Sequence, residues 1–128
     1  MAKNFKVLIV EDNPINVIVL KKFIDGICQP EAVTNGEKAL EMLENGNYDL
    51  VLMDINLGED EMNGEEVLSR IRAIPHLKTL PVIAVTAYTM DANVKKFKDE
   101  GFIDFVPKPI NKEVILNIIG KYISTKTP

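Results

Sequence analysis

Five times along this chain a short apolar run gives way to a stretch with apolar residues at helical spacing, and that repetition constrains the fold most. The runs are Lys6 to Val10 (KVLIV), Glu31 to Val33, Leu50 to Met53 (LVLM), Pro81 to Val85 (PVIAV) and Phe102 to Val106. The clearest of them show no alternation of apolar and polar residues. Such a strand is buried on both faces, which calls for a parallel sheet covered by helices on either side. Right-handed crossovers leave few ways to connect that sheet. The best is an α/β, doubly wound, open sheet of five strands and five helices.

The helical stretches carry their own punctuation. Asn13 is a candidate N-cap with Pro14 at the first helical position. Ile15, Ile18, Val19, Lys22 and Phe23 then recur at helical spacing, with Gly26 near the end. Thr34-Asn35-Gly36 turns into a helix from Glu37 to about Glu44, with Leu40 and Leu43 inward. Gly64 to Ala73 carries Val67, Leu68 and Ile71. Asp91 to Glu100 has few apolar anchors, Val94 and Phe97, and stops at Gly101. Asn111 caps a last helix through about Ile123.

With 128 residues and no repeat or linker, residues 1–128 are expected to form a single domain. The net charge of −4 argues against a general nucleic-acid surface. One cysteine, Cys28, excludes an internal disulfide, and one histidine, His76, argues against a histidine-rich metal centre or a Ser-His-Asp triad. No apolar run approaches the roughly 20 residues a membrane span needs. The expected setting is cytoplasmic and reducing, with no membrane contact.

In a doubly wound sheet, ligands sit outside the carboxyl ends of the strands. Glu11 and Asp12 follow the first strand, Asp54 the third, Thr86 the fourth, and Lys108, between two prolines, the fifth. Each acid alone is an ordinary polar residue where a strand reaches solvent. Three carboxylates in one pocket repel one another unless a cation cancels the charge. Mg²⁺ takes oxygen ligands and commonly bridges to phosphate. Lys108 would hold a phosphoryl oxygen as a point charge, and Thr86 would add a hydroxyl donor. That constellation predicts a phosphoryl-transfer site, with Asp54, alone at the end of the central strand, as nucleophile.

The stretches LIVEDNPIN (Leu8 to Asn16), LVLMDINL (Leu50 to Leu57), VIAVTAY (Val82 to Tyr88) and FVPKPI (Phe105 to Ile110) resemble the receiver domain of two-component response regulators, in the same order and spacing over nearly the whole chain. The resemblance implies a flavodoxin-like strand order 2-1-3-4-5. It implies that Asp54 is the phosphoacceptor and that Glu11, Asp12, Asp54 and the backbone carbonyl of Asn56 hold Mg²⁺, Glu11 largely through water. Thr86 and Lys108 would bind the phosphoryl group, Ala87 would leave room beside it, and Thr86 and Phe105 would carry the switch. Lys108-Pro109 would be a cis peptide, and Tyr88 would tune dephosphorylation. The implied partners are a histidine kinase or histidine phosphotransfer protein, and a downstream protein read by the face of the fourth helix, fifth strand and fifth helix. Chemistry would be self-directed: uptake of phosphoryl and its own hydrolysis.

A second reading from the residues is a Mg²⁺-dependent aspartyl-phosphate phosphatase acting on an external substrate. Such enzymes need an acid two residues past the nucleophile, where Asn56 stands. A flavodoxin-like cofactor binder would need a phosphate-cradling loop after the first strand, where Glu11-Asp12-Asn13 would repel phosphate. A calcium loop from Asp54 fails at its sixth position, Glu59, where glycine is required. One departure from the family pattern stands out. Gly64 lies ten residues past Asp54, so the acidic loop from Gly58 to Asn63 is two residues longer than usual and lacks the family's proline. That loop is expected either to be plain solvated chain or to alter Mg²⁺ affinity or kinase docking. Cys28 is expected to be partly buried and inert, His76 to sit in a loop, and Lys95, Lys96 and Lys98 to form a solvated or partner-facing cluster.

Overall fold

The computed structural model describes residues 4–55, 63–87 and 90–126. The elements run β1 (Lys6–Val10), α1 (Pro14–Ile24), β2 (Gln29–Val33), α2 (Gly36–Asn45), β3 (Leu50–Asp54), α3 (Gly64–Ala73), β4 (Val82–Thr86), α4 (Asp91–Glu100), β5 (Asp104–Pro107) and α5 (Lys112–Lys126). All strand pairs are parallel, and their order is β2-β1-β3-β4-β5, as the resemblance implied. No described helix is long and apolar enough to cross a membrane.

Two cores follow from the period-two alternation of strand side chains. Leu8, Val10, Val51, Met53, Val82 and Ala84 face one way and pack with Ala39, Leu43, Val67, Leu68, Ile71 and Phe97 from α2, α3 and α4. Val7, Ile9, Leu50, Leu52, Ile83 and Val85 face the other way, against Leu20, Ile24, Ile115 and Ile119 from α1 and α5. Burial on both faces is why the central strands read as unbroken apolar runs.

Local departures from the sequence reading have physical causes. β2 begins two residues earlier, at Gln29, because the Gln29 N–H donates to the Phe5 carbonyl at 2.8 Å and starts the pairing with β1. β5 begins only at Asp104. Phe102 instead turns into the core, its ring edge-on to Phe97 at a centroid distance of 6.0 Å. Residues Pro75–Leu77, read as loop, form one 3-10 turn with His76 exposed. On α1 the buried side chains are Leu20 and Ile24, whereas Ile15 and Ile18 face solvent at 69% and 61% exposure. Cys28 is fully buried, and burial pushes its thiol up to about 12, so it is an inert core residue.

Side-chain oxygens start four helices. Asn13 accepts from the N–H groups of Ile15 and Asn16, Asn35 from Lys38, Asn63 from Glu66, and Asn111 from Val114. At the start of α3 the backbone comes unusually near β3. The Gly64 N–H donates to the Ile55 carbonyl at 3.0 Å. A Cβ at Gly64 would collide with the Asp54 carbonyl oxygen and lie 3.0 Å from the Ile55 Cα. Because those atoms are backbone, they cannot step aside as a side chain would. Gly64→Ala is therefore expected to destabilise the domain by about 1–3 kcal/mol in urea denaturation, through displacement of the end of β3. A midpoint equal to wild type would show that the approach is not tight.

Candidate functional site

The carboxyl ends of β1, β3, β4 and β5 deliver their polar residues to one rim. Glu11 leaves β1 with its N–H on the Val33 carbonyl at 3.1 Å, so its backbone is still held by β2. Asp54 is the last residue of β3, in register with Val85, and Thr86 ends β4 opposite Pro107. The Lys108 N–H donates to the Thr86 carbonyl at 2.9 Å, which fixes where the lysine leaves β5, and the Lys108-Pro109 bond is cis.

The side chains converge. Carboxylate oxygens of Glu11, Asp12 and Asp54 all lie within 4.8 Å of one another. Lys108 Nζ donates to Asp54 Oδ1 at 2.9 Å and lies 3.8 Å from Glu11 Oε1. Glu11 and Asp54 are buried, Asp12 is exposed, and the Thr86 side chain is buried at the same rim. Lys108 thus meets two of the three carboxylates, Asp54 and Glu11, the two that are out of water. Burial, and then the adjoining Asp54 carboxylate, push the Glu11 carboxyl up from 4.5 to about 7, while Lys108 and the Asn13 N–H oppose the rise.

The donor set suits a hard divalent cation: clustered carboxylate oxygens, an excess of negative charge, and an exposed member, Asp12, open to water. Two supports were not legible as such in the sequence. The Asn13 N–H donates to Glu11 Oε2 at 3.3 Å, and Asn16 Nδ2 to Glu11 Oε1 at 3.4 Å. Asn13 signalled a helix cap and nothing more. Asn16, one turn into α1, was the available hint. The predicted carbonyl of Asn56, the side chain of Tyr88 and most of the acidic loop, residues 58–62, lie outside the described residues.

Phe105 lies on β5 in register with Ala84 and packs, half-buried, on the core under α2, α3 and α4. Ala84 and Thr86 are two residues apart on β4, so Thr86 and Phe105 share that face of the sheet. Lys95, Lys96 and Lys98 are exposed on α4.

Residues 7–120 match the family model for the response regulator receiver domain. The chain belongs to that family. This receiver domain is 33% identical over 117 residues to the signal transduction histidine-protein kinase BarA of Shigella flexneri, a match covering 91% of the chain and 12% of that protein. It is also 33% identical over 118 residues to the polar-differentiation response regulator DivK of Brucella anthropi, covering 91% of the chain and 94% of DivK. The receiver domain of the sensor histidine kinase PA1611 from Pseudomonas aeruginosa, solved with a magnesium ion coordinated in its active site cleft, superposes with a TM-score of 0.84. That match is 27% identical and covers 94% of this chain and 98% of that one. This receiver domain therefore spans a small fraction of its kinase relatives and nearly all of DivK. Its family works in two-component signalling.

The acid cluster makes a definite pH prediction for the metal-free domain. Below 4.5 both folded and unfolded chains carry the Glu11 proton, and its contribution is full. Between 4.5 and about 7 the folded chain keeps a proton that the unfolded chain has lost. The contribution falls away as the pH rises through about 7. In EDTA, urea midpoints of wild type are expected to drop from pH 6 to pH 8, and those of Glu11→Gln to drop less. Parallel profiles would contradict the raised Glu11 carboxyl.

Proposed function

We propose that this receiver domain accepts a phosphoryl group on Asp54 from a histidine kinase or a histidine phosphotransfer protein. The observation that carries the reading is the Lys108 ammonium 2.9 Å from Asp54 Oδ1 inside a three-carboxylate cluster. A carboxylate oxygen of Asp54 attacks phosphorus, the P–N bond to the donor imidazole breaks, and the imidazole leaves with the electron pair and takes a proton. Lys108 changes partner in this step, from the carboxylate to a phosphoryl oxygen. Thr86 supplies a hydroxyl donor to another. Glu11, Asp12 and Asp54, with the carbonyl of Asn56, would hold Mg²⁺, which when bound cancels the charge that would otherwise repel an incoming phosphate. The same site returns to the carboxylate when water attacks phosphorus and inorganic phosphate leaves.

The switch follows from the shared face of β4 and β5. Thr86 moves toward the phosphoryl oxygens, and Phe105 follows into the space behind it, altering the face made by α4, β5 and α5. The output is a protein contact rather than nucleic acid, in keeping with a net charge of −4. The phosphodonor has a docking patch at hand. Ile15 and Ile18 are exposed on the first turns of α1, which begins two residues past Asp12. Residues 1–128 act as one such unit, on the cytoplasmic side where phosphodonor kinases work.

Labelling with radioactive acetyl phosphate and Mg²⁺ tests this reading. Wild type is expected to incorporate label, and Asp54→Asn or excess EDTA to reduce it to background. Full labelling of Asp54→Asn would show that another residue is the acceptor.

A further inference from the structure

α4 is attached to the domain chiefly through one of its ends. Phe97 is its one buried side chain, and its ring meets Phe102 just past the helix. Gly101 closes the helix at φ 116°, in the left-handed region that glycine enters freely. The Phe102 N–H returns to the Phe97 carbonyl at 3.0 Å. Arg72, in the last turn of α3, then ties this end down. Its Nη2 donates to the Gly101 carbonyl at 3.1 Å, and its Nη1 to the carbonyls of Leu80 at 2.7 Å and Leu77 at 3.1 Å.

No carboxylate lies within ion-pair distance of Arg72 among the described residues. Its positive charge is met by carbonyl groups at the ends of α4 and of the 3-10 turn, and in the approach to β4. There the helix dipoles favour a cation. The planar fork of the guanidinium is what lets one side chain bridge three carbonyls. Lys96 adds an exposed ion pair to Glu65 at 3.5 Å, which is worth little alone.

Among the described residues, the other end of α4 shows none of this. Met90 is 76% exposed and supplies no side-chain cap. Asp91 to Lys95 contribute no fully buried side chain. The first turn is held by the N–H groups of Asn93 and Val94 on the Met90 carbonyl.

We propose that Arg72 is a positioning residue that pins the Gly101 end of α4, so that α4 answers phosphorylation as a lever whose Met90 end moves. This rests on the reading of α4 as part of the output face. A ten-residue helix is roughly 15 Å long, so a tilt of about 5° about the pinned end moves the other by ~1.3 Å. The large apolar side chain exposed at the moving end is Met90, beside the exposed Asp91 and Lys95.

Amide hydrogen exchange followed by NMR on the full chain tests this. In unphosphorylated wild type the amides of Gly101 and Phe102 are expected to exchange at least ten-fold more slowly than those of Val94 and Lys95. Arg72→Met is expected to abolish that gradient while leaving acetyl-phosphate labelling intact. Arg72→Lys, a point charge without the fork, is expected to restore less than half of it. With Mg²⁺ and beryllofluoride, a phosphoryl mimic, shift changes in wild type should concentrate on residues 90–95 and spare 98–102; in Arg72→Met they should spread along the helix. A wild-type helix without the gradient, or a gradient unchanged in Arg72→Met, overturns the proposal. Should Arg72→Met not fold, the wild-type gradient and the beryllofluoride pattern decide by themselves, and uniform change along α4 overturns it. If beryllofluoride perturbs nothing, Thr86 included, the phosphoacceptor reading fails, while the gradient in the free protein still tests the pin.

Discussion

Three carboxylates held within 4.8 Å of one another, two of them against the Lys108 ammonium, form the constraint on which the functional half of this fold turns. Left alone, that arrangement opposes folding, because two of the acids are buried and like-charged. The chain tolerates it because the rest of the domain is well anchored: three central strands, β1, β3 and β4, apolar on both faces, with backbone pairing up to Val10 before Glu11 and through Asp54 itself. A divalent cation would relieve that repulsion, and the clustered carboxylate oxygens suit one.

The division of labour within the fold is spatial. The two faces of the sheet carry the cores, and the carboxyl rim carries the acid cluster with Thr86 and Lys108. Around that rim stand elements of unequal firmness. β1 and β3 are central, and their ends place Glu11 and Asp54 rigidly. α4, on the flank, has a single buried side chain and is gripped at its far end by Arg72. A charge added at a rigid point beside a loosely held element is a sound basis for a switch, since the weakest attachment yields first.

Much of this was legible in the sequence. Buried parallel strands leave an unambiguous trace, and the polar residue that ends each one is read directly from position, so Glu11, Asp12, Asp54, Thr86 and Lys108 could be named and brought to one rim. What could not be read depends on three-dimensional direction. Ile15 and Ile18 fit a helical period yet face solvent, because the period does not say which side of α1 meets the sheet. Phe102 looked like strand and is a core plug, because an aromatic side chain suits either. Arg72 reads as one more surface cation on an amphipathic helix; its three carbonyl partners lie up to 29 residues away. Asn16 supports Glu11 for a similar reason, through a side-chain bond no spacing rule would single out.

The central claim, that the three acids form one divalent-cation site beside Lys108, is tested most directly with a paramagnetic ion. Substoichiometric Mn²⁺ added to the isotope-labelled domain should broaden the amide signals of residues 11–13, 54–55 and 86–87 first, and excess Mg²⁺ should restore them. Broadening centred elsewhere, for instance on the exposed acids of α3 and α4, or broadening that Mg²⁺ does not reverse, would contradict the account.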